Sequence, residues 1–421
     1  MSALATDHSA SPLGTRRLLP AGSSRDSSWR RHVERYGPLP VLDRRRSGLV
    51  DQVELSGLTG RGGAAFPTAV KLRTVASGRS PVVVANGTEG EPASSKDEVL
   101  MTYNPHLVID GVEAALAAVG SETAAIAVGR GADAARAALH NALAERRVPV
   151  DRIEVVAVPD RFVAGEESAL VHFLNGGEAK PTFTPPRPFQ KGVGGRPTLV
   201  QNVETLANLA LIARYGGHWF RDAGTPDEPG TVLVTVLGGV EKPGVVEAEL
   251  GIPVRELFDR CGGLTGPARA VLVGGYFGGW VPAELERPLT SAALGSLGAR
   301  AIAVLPNGVC GLAETARVVR YLAGESAGQC GPCIFGLPAV ADALERLAAG
   351  KDARRSLDRL PRLAAQIARR GACAHPDGAL RFVDSALRVF GPEIEGHLAG
   401  RCSASHGARL LPTDTLTKDW K

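Results

Sequence analysis

The chain has 421 residues, of which 44% are hydrophobic and 22% are charged, with a formal net charge of +4. This length exceeds one ordinary domain, and no apolar run approaches the roughly 18 residues that a membrane-spanning helix needs. The positive charge is local, because residues 1–46 hold nine Arg against four acidic residues. We therefore expect neither nucleic-acid binding nor a direct membrane span, and a cytoplasmic location, at most peripheral to a membrane complex.

The first segment, residues 1–45, is rich in Ser and Arg. This composition predicts a basic, flexible and solvated segment, with an acidic partner or a transit-type signal as alternatives. The six cysteines of the chain are too few for a disulfide scaffold. Three of them group near the C-terminus, which favours a reducing compartment and a metal or redox role.

Strands and helices are predicted to alternate from residue 46 to residue 228. Short β-branched runs predict strands at 81–87, 123–129 and 153–159, and helical periodicity follows at 106–120, 133–147 and 166–176. Such alternation is typical of a parallel, doubly wound α/β sheet.

Residues 229–311 show a different pattern of predicted elements. Two β-rich runs around a Gly, Lys and Pro turn precede a short helix at 253–261 and another strand, which predicts a small α+β module. Residues 312–400 show helical periodicity throughout and predict a helical bundle that contains most of the grouped cysteines. The polar end, 401–421, is predicted to be a frayed tail.

Two motifs in the first domain suit anionic or heterocyclic ligands. In "GLTGRGGAAFPTAVK" (57–71), glycines allow backbone N–H groups to approach an anion, and Lys71 adds a charge; a plain tight turn is the alternative. In "NGTEGEPASSKD" (86–97), an amide and two carboxylates follow a predicted strand, where parallel sheets bind ligands. Capping of the next helix is the alternative, for Asp97 above all and also for Glu89 and Glu91.

Two further motifs precede predicted helices. In "AGEESAL" (164–170), Glu166 and Glu167 fall in a first helical turn, where the helix dipole alone explains carboxylates. In "LVQNVETLANL" (199–209), Gln201 and Asn202 are suited to capping or to a phosphate.

In the residues of these motifs and in their order, the chain resembles the NADH-oxidising, FMN-binding flavoprotein subunit of respiratory complex I. It also resembles the relatives of that subunit in NAD-reducing hydrogenases and formate dehydrogenases. The resemblance rests on "GRGGAAFPTAVK", "NGTEGEPASSKD", "GEESAL", "GRPTLVQNVETLANL" and "ESAGQCGPC", with "CAHPDGA" downstream. It implies a Rossmann-like flavin domain, a ubiquitin-like β-grasp (SLBB) module and a helical bundle with a 4Fe-4S cluster.

The resemblance also implies the roles of individual residues. Carboxylates beside the flavin would orient the nicotinamide, and the flavin would receive its hydride. The positions that the family uses around FMN and NADH are Gly60, Arg61, Gly62, Gly63, Phe66, Lys71, Asn86, Glu89, Glu91, Gly165, Glu166, Glu167, Gln201, Asn202 and Thr205.

This sequence departs from the family pattern at several positions. Thr88 replaces an Asp, Phe162 replaces a Tyr, and Gln201 replaces an Asn. In "TPPRP", Thr184 and Arg187 stand where the family has Lys and an adenine-stacking Phe. Arginine can stack on adenine and also pair with a phosphate, so NADPH, or no dinucleotide at all, joins NADH as an alternative.

The cysteine motif departs most. Cys330, Cys333 and Cys373 match three of the four family ligands, and Ala327 occupies the fourth position. Three alternatives follow: a 4Fe-4S or 3Fe-4S cluster, whose remaining iron is lost or is bound by Ser326, His375, Cys402 or water; a zinc site of the three cysteines with His375; or a bundle without metal. Cys261 and Cys310 are predicted to be buried core residues.

The resemblance implies a flavin-dependent oxidoreductase that moves electrons between NAD(P)H and a protein acceptor, in either direction. A ferredoxin or a 2Fe-2S ferredoxin-like subunit is the expected partner, within a larger electron-transfer complex. One alternative is an electron-transfer or assembly subunit that keeps flavin without dinucleotide activity. Another is a small-ligand-binding protein built on the β-grasp module.

Overall fold

A computed structural model describes residues 16–20, 27–42, 48–402, 404, 409–413 and 419–421. The rest of the predicted N-terminal segment and of the predicted C-terminal tail lies outside these ranges. In the described part of the chain, every helix is too short or too polar to cross a membrane.

The first domain is built on a four-stranded parallel sheet with strand order β3-β2-β1-β4. Its strands are β1 (Val82–Gly87), β2 (Ala124–Gly129), β3 (Ile153–Val158) and β4 (Thr198–Asn202). The first three lie where the β-branched runs predict them. The fourth was not predicted, because its five residues pass directly into a helix and show no alternation of their own.

Helices cover both faces of this sheet. They are α1 (Trp29–Tyr36), α2 (Leu49–Ser56), α3 (Thr68–Ala76), α4 (Lys96–Tyr103), α5 (Pro105–Val119), α6 (Asp133–Glu145), α7 (Glu167–Leu174) and α8 (Val203–Arg221). Along β1, Val83 and Ala85 join the large core with α5 and α8, whereas Val82 and Val84 join a smaller core with α7. Successive strand residues point to opposite faces, so a doubly wound sheet needs apolar residues at every position.

Part of the N-terminal segment packs on this domain, contrary to the prediction of a flexible segment over 1–45. The His32 Nε2 atom of α1 lies 2.6 Å from Asp110 Oδ2 on α5, and Arg214 also pairs with this buried carboxylate. Leu18 is fully buried, and its backbone N–H donates to Glu247. A buried carboxylate needs such partners. Leu18 and His32 are therefore held to the core, although their neighbours in sequence are mostly polar.

The second domain is a mixed five-stranded sheet with order β6-β5-β9-β7-β8 and one main helix across it. It contains β5 (Thr231–Gly238), β6 (Gly244–Glu249), α9 (Val254–Arg260), β7 (Ala268–Val273), β8 (Gly279–Pro282), α10 (Ser291–Leu294) and β9 (Ala301–Pro306). The first and last strands, β5 and β9, are central and parallel, and each pairs with an antiparallel neighbour. This arrangement is the expected β-grasp fold.

The C-terminal region is helical, as predicted. Its helices are α11 (Gly311–Gly324), α12 (Leu337–Ala348), α13 (Ala353–Ile367), α14 (His375–Val389) and α15 (Gly391–Leu398). A π-helical turn, Pro332–Gly336, precedes α12 and contains Cys333. The apolar pattern from 379 to 398 predicts one helix, but the structure divides it at Gly391 and Pro392, because proline cannot donate the next helical hydrogen bond.

Candidate functional site

A cavity of about 520 Å³ opens at the carboxyl ends of β1 and β4. The chain adds β2 and β3 on one side of β1 and returns with β4 on the other, so the strand order reverses here. Such reversal points are where open α/β sheets bind ligands. Asn86, near the end of β1, is in register with Asn202 at the end of β4. The amides of two motifs that are distant in sequence therefore meet at the cavity.

All three domains contribute to the walls of this cavity. The β-grasp domain supplies Phe277 and the loop around Gly298, and the helical region supplies Cys373, His375 and Arg381. From the first domain, the predicted residues that line the cavity are Arg61, Gly62, Gly63, Asn86, Glu89, Glu91, Gly165, Glu166 and Asn202.

The glycine loop presents bare backbone to the cavity. A Cβ atom on Gly62 would lie 3.1 Å from the Asn202 Cβ atom, and Gly63 adopts a φ of +109°. Within the described ranges, the backbone N–H groups of these two glycines have no acceptor. Unpaired N–H groups at a ligand cavity are a common means of binding phosphate, so the loop is suited to bind an anion.

A buried cation lies beside this loop. The Lys96 Nζ atom is 2.6 Å from Asp97 Oδ1 and 2.9 Å from Glu204 Oε2. Burial opposes the charge on Lys96, but the two carboxylates outweigh burial and raise its pKa. The Asn202 amide donates to the other oxygen of Asp97 at 2.7 Å. This network fixes the cation and the amide together on the cavity wall.

Two carboxylates after β1 combine a structural role with a place at the cavity. Glu89 accepts the backbone N–H groups of Asp97 and Glu98, both at 3.1 Å, and so caps α4. Glu91 accepts the backbone N–H of Tyr276 at 2.7 Å, which joins the first domain to the second. Burial raises the pKa of both side chains, that of Glu91 to about 7. Both are therefore protonated in part near neutral pH.

The carboxylate Glu166 also has two roles. It caps α7 by accepting the N–H groups of Ser168 and Ala169 at 3.0 and 3.1 Å, as the structural alternative predicts. It also lines the cavity, and burial raises its pKa. The preceding Gly165 lines the cavity as well, and its carbonyl accepts from the Asn86 amide at 2.8 Å.

The raised pKa of Glu91 predicts a pH-dependent stability that a Glu91→Gln variant lacks. Without bound ligand, the folded protein binds a proton that the unfolded chain releases between pH 4.5 and about 7, so rising pH lowers stability across this window. The difference in free energy of unfolding, variant minus natural protein, should therefore rise by at most about 3 kcal/mol across this pH range. Solvent screening of the partly exposed side chain makes this rise smaller. Urea unfolding at pH 5, 6, 7 and 8 measures it; a constant difference would contradict the prediction.

Three predicted residues lie beneath the cavity walls or beside them. Thr205 is fully buried, and its hydroxyl accepts the backbone N–H of Arg61 at 2.8 Å. Gln201 is buried too and donates to Thr68. The N–H of Gly60 closes the glycine loop on the carbonyl of residue 66 at 2.9 Å. These contacts support the loop from below.

Three other predicted residues, Lys71, Glu167 and Phe66, lie toward the surface. Lys71 and Glu167 form an ion pair, with Nζ and Oε2 3.2 Å apart, and neither lines the cavity. Arg187 approaches the other oxygen of Glu167 at 3.9 Å. Phe66 is 52% exposed. The roles of these residues toward a dinucleotide stay predictions.

Sequence reasoning missed several residues of the walls. Lys96 belongs to the quoted motif "NGTEGEPASSKD", where a lysine after two serines was the available signal. Phe277 and Arg381 carried no such signal, because they come from other domains and reach the cavity only through the tertiary fold. His375 was predicted only as a possible metal ligand, and its place on the wall of the larger cavity was not predicted.

A second, smaller cavity adjoins the first. It is lined by Val163, Ala327, Gln329, Cys330, Cys333, Ala372, Cys373 and His375. Burial raises the pKa of Cys333 to about 12. Cys373 and His375 line both cavities, so a group held by these cysteines would be adjacent to a ligand in the larger cavity.

The structure separates the alternatives for the cysteine site. In the part of the chain that can be described, Cys330, Cys333 and Cys373 do not form a group with all ligand atoms within 4.8 Å. Zinc would need thiolates closer together, whereas a cluster separates them by its own core. His375 donates from Nε2 to the Leu322 carbonyl at 2.8 Å. Cys402 was an alternative ligand, but it lies beside Cys310 and His397 instead, so that alternative is wrong.

Three family profiles match the chain. The Nuo51 FMN-binding domain matches residues 53–211, the SLBB domain residues 233–275, and the NADH-ubiquinone oxidoreductase-F iron-sulfur binding region residues 313–397. Their order agrees with the order of the three structural units.

Individual relatives match almost the whole chain. One of the F subunits of the NADH-quinone oxidoreductases of Rhizobium meliloti is 32% identical over 85% of this chain and 90% of its own length. The corresponding F subunit of Streptomyces coelicolor is 33% identical over 91% of each chain. Among solved structures, an NAD+-reducing [NiFe]-hydrogenase in the H2-reduced state is 31% identical with a TM-score of 0.75. The match covers 88% of this chain and 64% of that hydrogenase chain.

Proposed function

The chain belongs to the family of the NADH-quinone oxidoreductase F subunits, and from this premise we propose that it passes electrons from a nicotinamide nucleotide through FMN and an iron–sulfur cluster to a protein acceptor. The observation that carries the proposal is the contact between two cavities. The larger contains the flavin-motif residues at the reversal of strand order, and Cys373 belongs to both it and the cysteine site.

The larger cavity suits FMN in size and in chemistry. Its volume of about 520 Å³ lies within the range of cofactor sites, roughly 300–1,000 Å³. The free N–H groups of Gly62 and Gly63, with Lys96 beside them, match a phosphate. Asn86 and Asn202 supply amides at the rim. We assign these five residues to the flavin, and the supporting contacts to Gln201 and Thr205 beneath them.

When bound, FMN accepts a hydride from a reduced nicotinamide and passes electrons on one at a time. The protein's part is to position the two ring systems and to exclude water. Glu166 is fixed by its two N–H donors, so its carboxylate keeps one orientation at the cavity. We assign Glu166, and Glu167 beside it, to the nicotinamide ribose. Glu91, whose pKa is raised to about 7, is protonated in part near neutral pH.

The cysteine site suits an iron–sulfur cluster with three thiolate ligands. Cys330, Cys333 and Cys373 line one cavity with Ala327, which has no ligand atom. We propose that three irons are bound by cysteine and that the fourth position is labile. Two candidates for a substitute ligand are Ser326, whose side chain hydrogen-bonds to Cys333, and His375, which lines the same cavity.

The choice of dinucleotide and of partner rests on Arg187 and on the relatives. Arg187 is exposed and paired only distantly with Glu167, so it is available to a phosphate, and we propose that the chain accepts NADPH as well as NADH. The relatives are named as subunits. We propose that this chain works likewise within a larger, cytoplasmic electron-transfer complex, and that a ferredoxin or a 2Fe-2S ferredoxin-like subunit receives the electrons.

A second function rests on the same region. The segment 182–187 is exposed and has lost the family's adenine-stacking residue. A chain that holds flavin and a cluster without binding a dinucleotide would serve as an electron-transfer or assembly subunit.

Anaerobic purification followed by nucleotide titration tests both functions. The proposal predicts a flavin spectrum, bound iron and sulfide, and bleaching of the flavin by NADH or NADPH. An Arg187→Ala variant should lose affinity for NADPH more than for NADH, and Arg196→Ala, at another exposed arginine, should not. Flavin that neither nucleotide bleaches would support the second function, and a colourless protein would overturn both.

A further inference from the structure

Three potential metal ligands meet at a site that shares no residue with the flavin cavity. Cys310 precedes α11, His397 lies in the last turn of α15, and Cys402 follows that helix. Their ligand atoms all lie within 4.8 Å of one another, and Cys310 Sγ is 3.3 Å from His397 Nε2. Among the described residues, this is the one group of three or more His, Cys, Asp or Glu side chains whose ligand atoms all lie within that distance.

The spacing suits a single ion with tetrahedral geometry. Zinc bonds of about 2.3 Å to sulfur and about 2.0–2.1 Å to nitrogen place neighbouring ligand atoms roughly 3.5–3.8 Å apart. The observed 3.3 Å between Cys310 and His397 is already close to this value. The set of two thiolates and one imidazole favours zinc over magnesium or calcium, which prefer oxygen ligands.

The surroundings leave the fourth coordination position to an external ligand. Glu393 is the nearest carboxylate, 3.6 Å from Cys310 Sγ. That carboxylate is already engaged, because it accepts the backbone N–H groups of Gly311 and Leu312 and pairs with Arg269 at 2.5 Å. A water molecule would therefore complete the tetrahedron.

An ion can reach this site from solvent. Two cavities, of about 480 and 660 Å³, lie on either side of it, and His397, Arg401 and Cys402 line both. Cys310 and His397 are buried, whereas Cys402 is partly exposed. The site thus has two buried ligands, one just before α11 and one in α15, and one partly exposed ligand in the segment that follows α15.

We propose that Cys310, His397 and Cys402 bind a zinc ion that fastens the segment after α15 to the start of α11. The site shares no residue with the proposed iron–sulfur site or with the flavin cavity, so the proposal is independent of the electron-transfer function. Because a metal bound only in the folded state adds its binding free energy to stability, zinc should stabilise the helical region.

The test uses the full chain with the other cysteine site removed. A protein carrying Cys330→Ser, Cys333→Ser and Cys373→Ser is expected to bind one zinc per chain, measured by elemental analysis and by competition with a chromophoric chelator. Cobalt in its place should give the visible absorption of a tetrahedral site with thiolate ligands. Adding Cys402→Ser should weaken zinc binding by about 100-fold or more, beyond the loss typical of a group outside the ligand shell.

Cys261→Ser, at a buried cysteine of the β-grasp domain, is the matched control and should leave zinc binding unchanged. Because Cys402 is partly exposed and lies outside the helices, its variant should still fold, which circular dichroism verifies. Absence of zinc binding in the three-serine protein would overturn the proposal. So would equal affinity in the Cys402→Ser and Cys261→Ser variants, or a disulfide between Cys310 and Cys402 in anaerobically purified protein.

Discussion

An Ala327→Cys variant should retain four irons per chain under conditions in which the natural protein retains three. Ala327 lines the same cavity as Cys330, Cys333 and Cys373, so a thiol at this position faces the site of the cluster. In the natural chain, the fourth iron has no thiolate, and we expect a chelator or air to remove it. Iron and sulfide analysis after chelator treatment measures the difference. Paramagnetic resonance should show a three-iron signal in the oxidised natural protein and none in the variant.

Two further variants identify the ligands. Cys333→Ser should lose the cluster, while flavin reduction by the nucleotide continues, because Cys333 lines only the smaller cavity. Ser326→Ala should behave like the natural protein if water completes the site, and should lose iron faster if the serine is a ligand. Equal iron content in the natural protein and in Ala327→Cys, before and after the chelator, would contradict the three-thiolate site.

A Lys96→Met variant should be destabilised by about 3–5 kcal/mol and should lose FMN. The substitution leaves Asp97 and Glu204 buried without their shared cation, and these two carboxylates lie 2.6 and 2.9 Å from it. The same change removes the positive charge beside the free N–H groups of the glycine loop. Urea unfolding of the apoprotein and fluorescence titration with FMN separate the two effects.

Lys71→Met is the matched control, because it removes the lysine of the other flavin-type motif. Lys71 is partly exposed and is paired with Glu167. An ion pair of this kind contributes about 0–1 kcal/mol, so the control should keep nearly all its stability. A Lys96→Met protein as stable as the control would show that Asp97 and Glu204 are neutral or solvated. Equal loss of FMN in both variants would assign the phosphate to Lys71 as well.

The organisation of the chain was predictable because it depends on local pattern. Strands at β1, β2 and β3 and the helices that follow them come from hydrophobic periodicity and turn residues. The exception is β4, whose five residues have no distinct periodicity and form a strand only because β1 offers a free edge. This missed strand is the one that brings Asn202 into register with Asn86.

The cysteines also show which features local sequence pattern predicts and which depend on the tertiary fold. The pair Cys330 and Cys333 was recognisable from its short spacing, and Cys373 from the family resemblance. Cys310 was correctly predicted to be buried, but its neighbours were not predictable. It meets His397 and Cys402 only because α15 and the segment after it fold back onto the start of α11.

Local patterns of residue type and spacing were enough to predict the family, the order of the three domains, the glycine loop and the three cluster-type cysteines. Which residues share a cavity, in contrast, depends on the tertiary fold. It placed Lys96 between two buried carboxylates, brought His375 and Arg381 from the helical region to the flavin cavity, and assembled the site at Cys310. The physical reason is that contacts between distant segments depend on how whole faces pack and on which buried charges need partners, and neither is encoded in local spacing.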